Sequence, residues 1–158
     1  MPLDPDTFRS VLGRFATGVT VVTLCDDAGR DHGMTVSAFC SLSLSPPLVL
    51  VCVDRAASMY PLLTVGQGLA INILASGQEA LSRRFSGPDQ NRFDGIGYAR
   101  GVTGAALLDD VLGALECEIV ALHEGGDHTI VIAEVETAVA WPERPLLYYR
   151  GGYAQLER

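Results

Sequence analysis

The sequence predicts a mostly β fold, an antiparallel β-barrel with a few helices packed outside it. Apolar runs rich in Val, Ile and Leu recur along the chain and are separated by Gly, Pro, Asp and Ser clusters. These runs do not alternate with helical patterns as βαβ units do, and the sequence has no internal repeat or low-complexity tract. A chain of 158 residues with 48% hydrophobic residues can build one core, so residues 1–158 are expected to form a single domain.

The first predicted element is an amphipathic helix followed by a β-hairpin. Asp4-Pro5-Asp6 supplies a cap, a first-turn proline and negative charge. Apolar side chains then follow at helical spacing, at Phe8, Val11, Leu12 and Phe15. Gly18 is expected to end the helix. Residues 19–25 predict a β-strand, which turns through residues 26–31 into a partner strand that starts at His32.

Two prolines, Pro46 and Pro47, should interrupt that partner strand, because proline has no N–H to donate to a β-ladder. Residues 48–53 are continuously apolar and predict a strand that is buried on both faces. Residues 58–63 predict a short helix with Ser58 near its cap, where free backbone N–H groups could bind an anion. Ser58 could equally serve only as a cap.

Residues 68–74 predict another strand, and a helix should begin near Ser76 and run to Phe85. The order Ser76-Gly77-Gln78-Glu79 matches a capping box at the start of this helix. Residues 86–104 are rich in Gly and polar residues, and so long a connection is more often functional than idle. We therefore expect a loop that covers a site.

Two long strands are predicted towards the C-terminus, at residues 115–122 and 129–140. Residues 123–128 should connect them as a hairpin. Prolines follow the second strand and end it, and residues 146–153 predict a last short strand with a turn.

Charge and composition exclude several classes of partner. The formal net charge of −8 argues against nucleic-acid binding, because a phosphate backbone requires a cationic surface. No polybasic run accompanies an amphipathic helix, and no apolar run approaches the roughly 20 residues that span a bilayer, so no membrane association is expected. Because the N-terminus has no signal-peptide pattern, the protein is expected to be cytoplasmic.

The cysteines do not predict a metal site. They are widely spaced, with no Cys-x-x-Cys pair and no histidine at ligand spacing beside any of them. Most are expected to be buried small hydrophobic residues. The four are Cys25, Cys40, Cys52 and Cys117.

Residues 33–53 crowd small and hydroxyl side chains between two β-type apolar runs. Small side chains let a ligand approach the backbone, while hydroxyls and free N–H groups can bind the edge of a heterocycle and a phosphate. The same residue types are ordinary turn formers, so a β-edge followed by a turn explains the stretch as well.

Three segments in this order carry a family resemblance: residues 33–53, the tripeptide Gly126-Asp127-His128 and residues 147–153. From about Phe8 to its C-terminus the chain resembles the flavin reductase family, which has the FMN-binding split-barrel fold. It is most similar to the reductase component of two-component flavin-dependent monooxygenases. The resemblance implies a homodimer that uses NADH or NADPH to reduce FMN or FAD and releases the reduced flavin to a separate monooxygenase.

The resemblance also implies which residues bind the flavin. One group lies beside the isoalloxazine ring and ribityl chain or on the adjoining turn: Thr35, Val36, Ser37, Ala38, Ser41 and Leu42. A second group lies at the end of the next strand, with Ser58 as a phosphate ligand: Cys52, Val53, Ala56 and Ser58. Phe85 and Arg92 border the pocket, and Arg92 would be a bidentate phosphate clamp, unless it is a solvent-exposed loop cation.

The tripeptide is implied to lie at the nicotinamide site. His128 would orient the pyridine nucleotide, as a binding residue first and a catalytic one second, and Asp127 would support it with a hydrogen bond. Tyr153 would line the pocket, whereas Tyr148 and Tyr149 could be ordinary core residues. Because no Gly-x-Gly-x-x-Gly fingerprint follows a strand, the nucleotide must bind without a Rossmann domain.

Three alternatives remain open, one of which is a protein that acts purely as an interaction module and binds no flavin. A protein of the same fold could hold its flavin tightly and act on another substrate. It could also be a non-catalytic binder of flavin or haem.

Overall fold

Twelve β-strands and two α-helices make up most of the computed structural model, which describes residues 1–157. The helices are α1 (Pro5–Leu12) and α2 (Glu79–Ser86), and a short 3-10 helix covers Tyr60–Leu62. The strands are β1 (Thr17–Gly18), β2 (Thr20–Cys25), β3 (Asp31–Val36), β4 (Phe39–Leu44), β5 (Pro47–Asp54), β6 (Gly68–Ile73), β7 (Tyr98–Arg100), β8 (Ala106–Leu108), β9 (Gly113–Gly125), β10 (His128–Ala140), β11 (Leu146–Tyr149) and β12 (Gly152–Gln155). The mostly β prediction is confirmed.

Seven strands form one antiparallel sheet in the order β3-β2-β6-β9-β10-β5-β4. The sheet curls until β3 approaches β5, although no ladder joins these two strands. At this seam Ser37 and Ala38 link β3 to β4, and the backbone N–H of Cys52 donates to the carbonyl of Ala38 across 3.0 Å. Smaller sheets, β1-β11-β12 and β7-β8, complete the fold. The barrel is thus closed at the seam by a local contact and not by a continuous ladder.

The strand β2 separates two hydrophobic clusters. Its alternate residues Val22 and Leu24 face the barrel interior, where they pack with residues such as Leu69, Ile71, Ile119 and Val131. Val19, just before β2, and Val21 face outwards into a second cluster with Leu74, Phe85, Leu108 and Leu146. The buried hydroxyls of Thr20 and Thr23 donate to backbone carbonyls, so the strand leaves no orphaned hydroxyl inside the protein.

The prediction that residues 48–53 are buried on both faces is wrong. In β5 only Val49, Val51 and Val53 are buried, while the alternate residues Leu48, Leu50 and Cys52 are half-buried. Consecutive residues are buried on both faces in β2 and in β6, and α2 with its following loop covers the outer side of β2. An apolar run alone cannot distinguish these two environments.

The N-terminal helix is shorter than predicted. It ends at Leu12, and Gly18 belongs to β1, where it pairs with Leu147. The apolar side chains at its predicted core positions are more than half exposed: Phe8, Val11, Leu12 and Phe15. Within residues 1–157, neither this helix nor α2 has the length and apolar character needed to cross a bilayer.

Both predicted serine caps are wrong. The 3-10 helix follows Met59 and has no side-chain cap, so Ser58 does not cap it. The helix α2 follows Gln78, whose Oε1 accepts a hydrogen bond from the backbone N–H of Ala75, whereas the N–H of Ser76 donates to the carbonyl of Arg144. Gln78 therefore ties the start of α2 to the preceding strand end.

The predicted hairpin near the C-terminus is present, but its connection is shorter than expected. Both strands extend further, so β9 reaches Gly125 and β10 begins at His128. Only Gly126 and Asp127 form the turn, and Gly126 adopts a positive φ of 68° that favours glycine. The predicted last strand is likewise a hairpin, β11 and β12, joined by Arg150 and Gly151.

The close packing at Gly33 in β3 generates a stability prediction. A Cβ atom at this position would lie 2.7 Å from the ring of Phe85 and 3.1 Å from the ring of Phe93. We expect Gly33→Ala to lower the free energy of unfolding by about 1–3 kcal/mol, measured by urea denaturation, because both rings would have to move. The matched control is Gly77→Ala, where a Cβ would meet no atom within 4 Å. Equal stability of the two variants would contradict the assigned packing.

Candidate active site

A cavity of about 340 Å³ lies between β3, the loop after β5 and the end of α2. It brings together five of the residues that the sequence predicted as flavin ligands: Thr35, Ala56, Ser58, Phe85 and Arg92. The sequence analysis did not assign the other lining residues, which are Met34, Asp54, Ala57, Met59 and Ser86. Each of them is close in sequence to a predicted ligand. This adjacency was the feature of the sequence that could have indicated that they line the cavity.

The wall of the cavity that β3 forms is fixed by hydrogen bonds on the side away from the cavity. The hydroxyl of Thr35 donates to the carbonyl of Ser82 in α2 across 2.7 Å. The hydroxyl of Ser82 is buried and lies 2.7 Å from the hydroxyl of Tyr153. The Tyr153 ring lies under the guanidinium of Arg83 at 4.9 Å. Tyr153 is therefore not among the residues that line this cavity and instead lies behind Thr35.

The loop after β5 forms the opposite wall with small side chains. The carboxylate of Asp54 accepts from the N–H of Ala56, and the carbonyl of Asp54 accepts from the N–H of Ala57. These bonds fold residues 54–57 into a tight turn. Within residues 1–157, no acceptor contacts the backbone N–H of Ser58 or Met59 or the hydroxyl of Ser58. An anion at this wall can therefore receive these donors.

The guanidinium of Arg92 is fixed by three backbone carbonyls. Nε donates to Asp89, Nη1 to Gly33 in β3 and Nη2 to Gly87 after α2. Arg92 is therefore not the solvent-exposed cation that the sequence left open. Three of its five N–H donors are thus occupied, and one N–H on each Nη remains for a ligand. Arg84 holds the same loop through the carbonyls of Asn91, Arg92 and Asp94.

The seam between β3 and β4 holds the rest of the predicted flavin segment. The side chains of Val36 and Val53 are buried in the barrel core, so these residues can reach a ligand only through their backbone. Ser37 is half-buried and Ala38 is exposed at the break between the strands. Ser41 and Leu42 are exposed on β4 and do not line the cavity.

The cysteines are less buried than predicted. Only Cys117 is buried, where burial raises the pKa of its thiol to about 12. Cys25 and Cys52 are half-buried and Cys40 is exposed. Cys52 is at the seam, and burial raises the pKa of its thiol. Cys52 is therefore a neutral, weakly reactive side chain beside the seam at neutral pH.

His128 begins β10 and pairs in register with Asp54 of β5, which lines the cavity. Its Nδ1 lies 2.7 Å from the carboxylate of Asp127, and this hydrogen bond lowers the pKa of Asp127. Because a carboxylate accepts only, Nδ1 carries the proton in this bond and a neutral ring presents Nε2 as an acceptor. The side chain of His128 is 41% exposed, and His128 does not itself line the cavity, although its pairing partner Asp54 does.

Comparisons with known proteins agree with this geometry. The model of the flavin reductase like domain matches residues 12–157. The NADH-dependent FAD reductase of Streptomyces globisporus is 44% identical over 156 residues, which cover 96% of this chain and 85% of that protein. The reductase subunit HsaB of a flavin-dependent monooxygenase from Mycobacterium tuberculosis is 36% identical over 158 residues, which cover 98% of this chain and 84% of that protein.

A solved structure supports the same assignment. The NADH:FAD oxidoreductase SgcE6 of Streptomyces globisporus C-1027, in complex with NAD and FAD fragments, superposes with a TM-score of 0.91 at 40% identity. The match covers 99% of this chain and 96% of that chain. The fold and site thus define a split-barrel protein of the flavin reductase class. The chain belongs to the flavin reductase family, and the family and fold predictions are confirmed.

Proposed function

We propose that this protein is an NAD(P)H:flavin oxidoreductase that transfers hydride from NADH or NADPH to FMN or FAD and releases the reduced flavin to a separate flavin-dependent monooxygenase. The cavity beside Thr35 and Ser58 carries the proposal, because its lining matches the chemistry of a flavin. Family membership supports the reaction. The name of HsaB, a reductase subunit of a monooxygenase, supports the partner.

The lining residues fit the parts of a flavin nucleotide. Ala56 and Ala57 leave space for a planar ring system, and Met34, Met59 and Phe85 provide apolar contact. The hydroxyl and N–H of Ser58, with the fixed guanidinium of Arg92, provide donors for a phosphate. The flavin supplies hydride-accepting chemistry when it is bound, and this chain supplies position and hydrogen bonds.

His128 can hold the nicotinamide beside the flavin. Its hydrogen bond to Asp127 keeps the proton on Nδ1, so Nε2 can accept a hydrogen bond from the carboxamide of the nicotinamide. The N–H of Arg55 donates to the carbonyl of Asp127 across 3.0 Å and fixes the turn that carries both residues. Hydride transfer itself moves no proton to or from His128, so we assign its role as positioning the nucleotide.

The first test is a steady-state assay with the purified protein. NADH and NADPH are each combined with FMN, FAD and riboflavin, and nicotinamide oxidation is followed by absorbance. We expect oxidation to require added flavin, because the exposed wall at Ala56 and Ser58 lets flavin exchange. Flavin that copurifies without NAD(P)H oxidation would favour a tightly bound oxidoreductase with another substrate. Haem binding without flavin binding would favour the non-reductase alternative.

The second test concerns His128. We expect His128→Ala to lower kcat/KM for NADH about tenfold, mainly through KM, because a hydrogen bond of about 1.4 kcal/mol to the nucleotide is lost. His123→Ala is the matched control, since His123 is an exposed histidine on the same hairpin and does not line the candidate site. Unchanged kcat/KM in His128→Ala would show that His128 does not hold the nucleotide.

We also propose a homodimer, supported by an apolar strand edge. The strand β4 is the last strand of its sheet, and Leu44 on it is 92% exposed, with Leu42 also exposed. Exposed apolar edges of this kind usually lie in an interface. We expect a solution mass of twice one chain by light scattering, and Leu44→Glu should shift the mass towards one chain. A monomeric wild-type protein at micromolar concentration would contradict this proposal.

We also propose that the chain forms a single domain and that the protein lies in the cytoplasm. The family match extends over residues 12–157, which supports one domain over the whole chain. All four cysteines are free, which is typical of a reducing compartment. The cytoplasm also supplies reduced nicotinamide nucleotides.

A further inference from the structure

One face of the edge strand β3 contacts the segment that runs from α2 to β7. Alternate residues of a strand lie on the same face, and here they are Asp31, Gly33 and Thr35. Thr35 binds α2 through its hydroxyl, and Gly33 packs against the rings of Phe85 and Phe93. Asp31 contacts β7 at the far end of the segment. The strand and the segment are therefore joined at three successive positions.

Asp31 holds β7 through three hydrogen bonds. Its two carboxylate oxygens accept from the two Nη atoms of Arg100 across 2.8 Å and 2.7 Å, and Oδ2 also accepts from the hydroxyl of Tyr98 across 2.8 Å. The side chain of Asp31 is only 11% exposed. The bonds from Arg100 lower its pKa, so the carboxylate is charged at neutral pH. A bidentate and mostly buried ion pair of this kind is stronger than a pair between free surface side chains.

The hairpin of β7 and β8 is itself fixed to the barrel. The hydroxyl of Thr23 in β2 and the side-chain amide of Asn72 in β6 both donate to the carbonyl of Ala106 in β8. The amide oxygen of Asn72 accepts from the backbone N–H of Leu108. Asp31 therefore joins β3 to a part of the fold that buried hydrogen bonds hold in place.

A row of aromatic rings leads from this ion pair to the candidate active-site cavity. The ring centroids of Tyr98 and Phe93 are 5.5 Å apart, and those of Phe93 and Phe85 are 5.1 Å apart, both pairs edge to face. Phe85 lines the cavity. Because packed rings transmit a displacement to their neighbours, a shift of Tyr98 would reach the cavity wall.

The position of Arg92 depends on the same segment. Two of its three hydrogen bonds, to the carbonyls of Gly87 and Asp89, lie within the segment, and only the bond to Gly33 reaches β3. Arg84 ties the loop around Arg92 to α2. The contact with Asp31 fixes the other end of the segment.

We propose that Asp31 is a positioning residue for the phosphate of bound FMN. It fixes the end of the segment that carries Arg92 and so sets how this guanidinium faces Ser58, the other phosphate donor of the cavity. Asp31 is not among the residues that line the cavity. The inference rests on the proposed function, because it takes this cavity as the flavin site.

The test compares FMN with riboflavin, which has the same ring system and ribityl chain but no phosphate. The Kd of each is measured by quenching of flavin fluorescence, without nicotinamide nucleotide. We expect Asp31→Asn to raise the Kd for FMN about fivefold, a usual effect of a residue that acts on a site from outside it, and to leave the Kd for riboflavin unchanged. The carboxamide keeps the shape of the carboxylate but cannot accept from both Nη atoms of Arg100.

Asp26→Asn is the matched control. Asp26 lies on the same hairpin, is 10% exposed and pairs with Arg30, much as Asp31 pairs with Arg100. The hydrogen bonds of its carboxylate stay within residues 26–32, so its loss disturbs the turn between β2 and β3 and not the loop that carries Arg92. We expect this variant to keep the wild-type ratio of the two Kd values. A ratio that falls equally in both variants would overturn the inference.

Arg100→Gln removes the same ion pair from its other side. Arg100 is 42% exposed, so the test does not depend on the folding of Asp31→Asn alone. We expect the same loss of FMN affinity, and no further loss in the double variant, because both substitutions act through one pair.

The remaining outcomes separate this inference from the proposed function. Additive losses, equal losses for FMN and riboflavin, or no loss would each overturn the positioning role of Asp31 and leave flavin reduction in place. A wild-type protein that binds FMN and riboflavin equally would do the same. A wild-type protein that binds no flavin would overturn the proposed function together with the inference.

Discussion

The geometry of the site depends on the break between β3 and β4. A single continuous strand here would carry residues 31–44 along one edge of the sheet. The chain instead leaves β3 after Val36 and pairs with β5 from Phe39, and the bond from the Cys52 N–H to the Ala38 carbonyl fixes the crossing. Because the two edge strands of the sheet are joined at this point, Thr35 on β3 faces the loop that follows β5. The barrel closes here through a local contact and not through a full ladder of hydrogen bonds between β3 and β5. The cavity depends on this kind of closure.

Arg92 extends this constraint to the other walls. Its contacts to Gly33, Gly87 and Asp89 join β3, the end of α2 and the following loop around one guanidinium. Gly33 has no side chain, so the rings of Phe85 and Phe93 can pack against β3 where Arg92 binds the backbone. The same close approach brings Phe85 into the lining of the candidate active-site cavity. The guanidinium of Arg92 and the close packing at Gly33 thus hold β3, the end of α2 and the following loop together.

The sequence predicted what depends on local pattern and on family motifs. The antiparallel β fold and the hairpin before Ala140 follow from residue types close together in the chain, whereas Thr35, Ala56 and Ser58 were named through the family resemblance. It could not predict which strand has a second apolar layer, because that depends on where α2 and its loop pack.

The same limit applies to the contacts that hold Arg92 and Tyr153. Arg92 binds a carbonyl 59 residues away, and Tyr153 meets a serine 71 residues away. A motif can indicate that such residues matter at the site, but their partners are fixed only by the folded chain. The cap predicted at Ser76 failed for a similar reason, because the N–H of Ser76 donates to the carbonyl of Arg144, which is distant in sequence.

The internal hydrogen bonds also bear on how tightly the cavity holds a flavin. The hydroxyl of Thr35, the N–H groups of Ala56 and Ala57 and most of the guanidinium of Arg92 already donate to the protein itself. These bonds make the cavity rigid but leave few donors for the ligand, mainly those of Ser58 and Met59. A rigid site with few direct bonds favours correct orientation over tight binding. That balance suits a flavin that must leave after reduction.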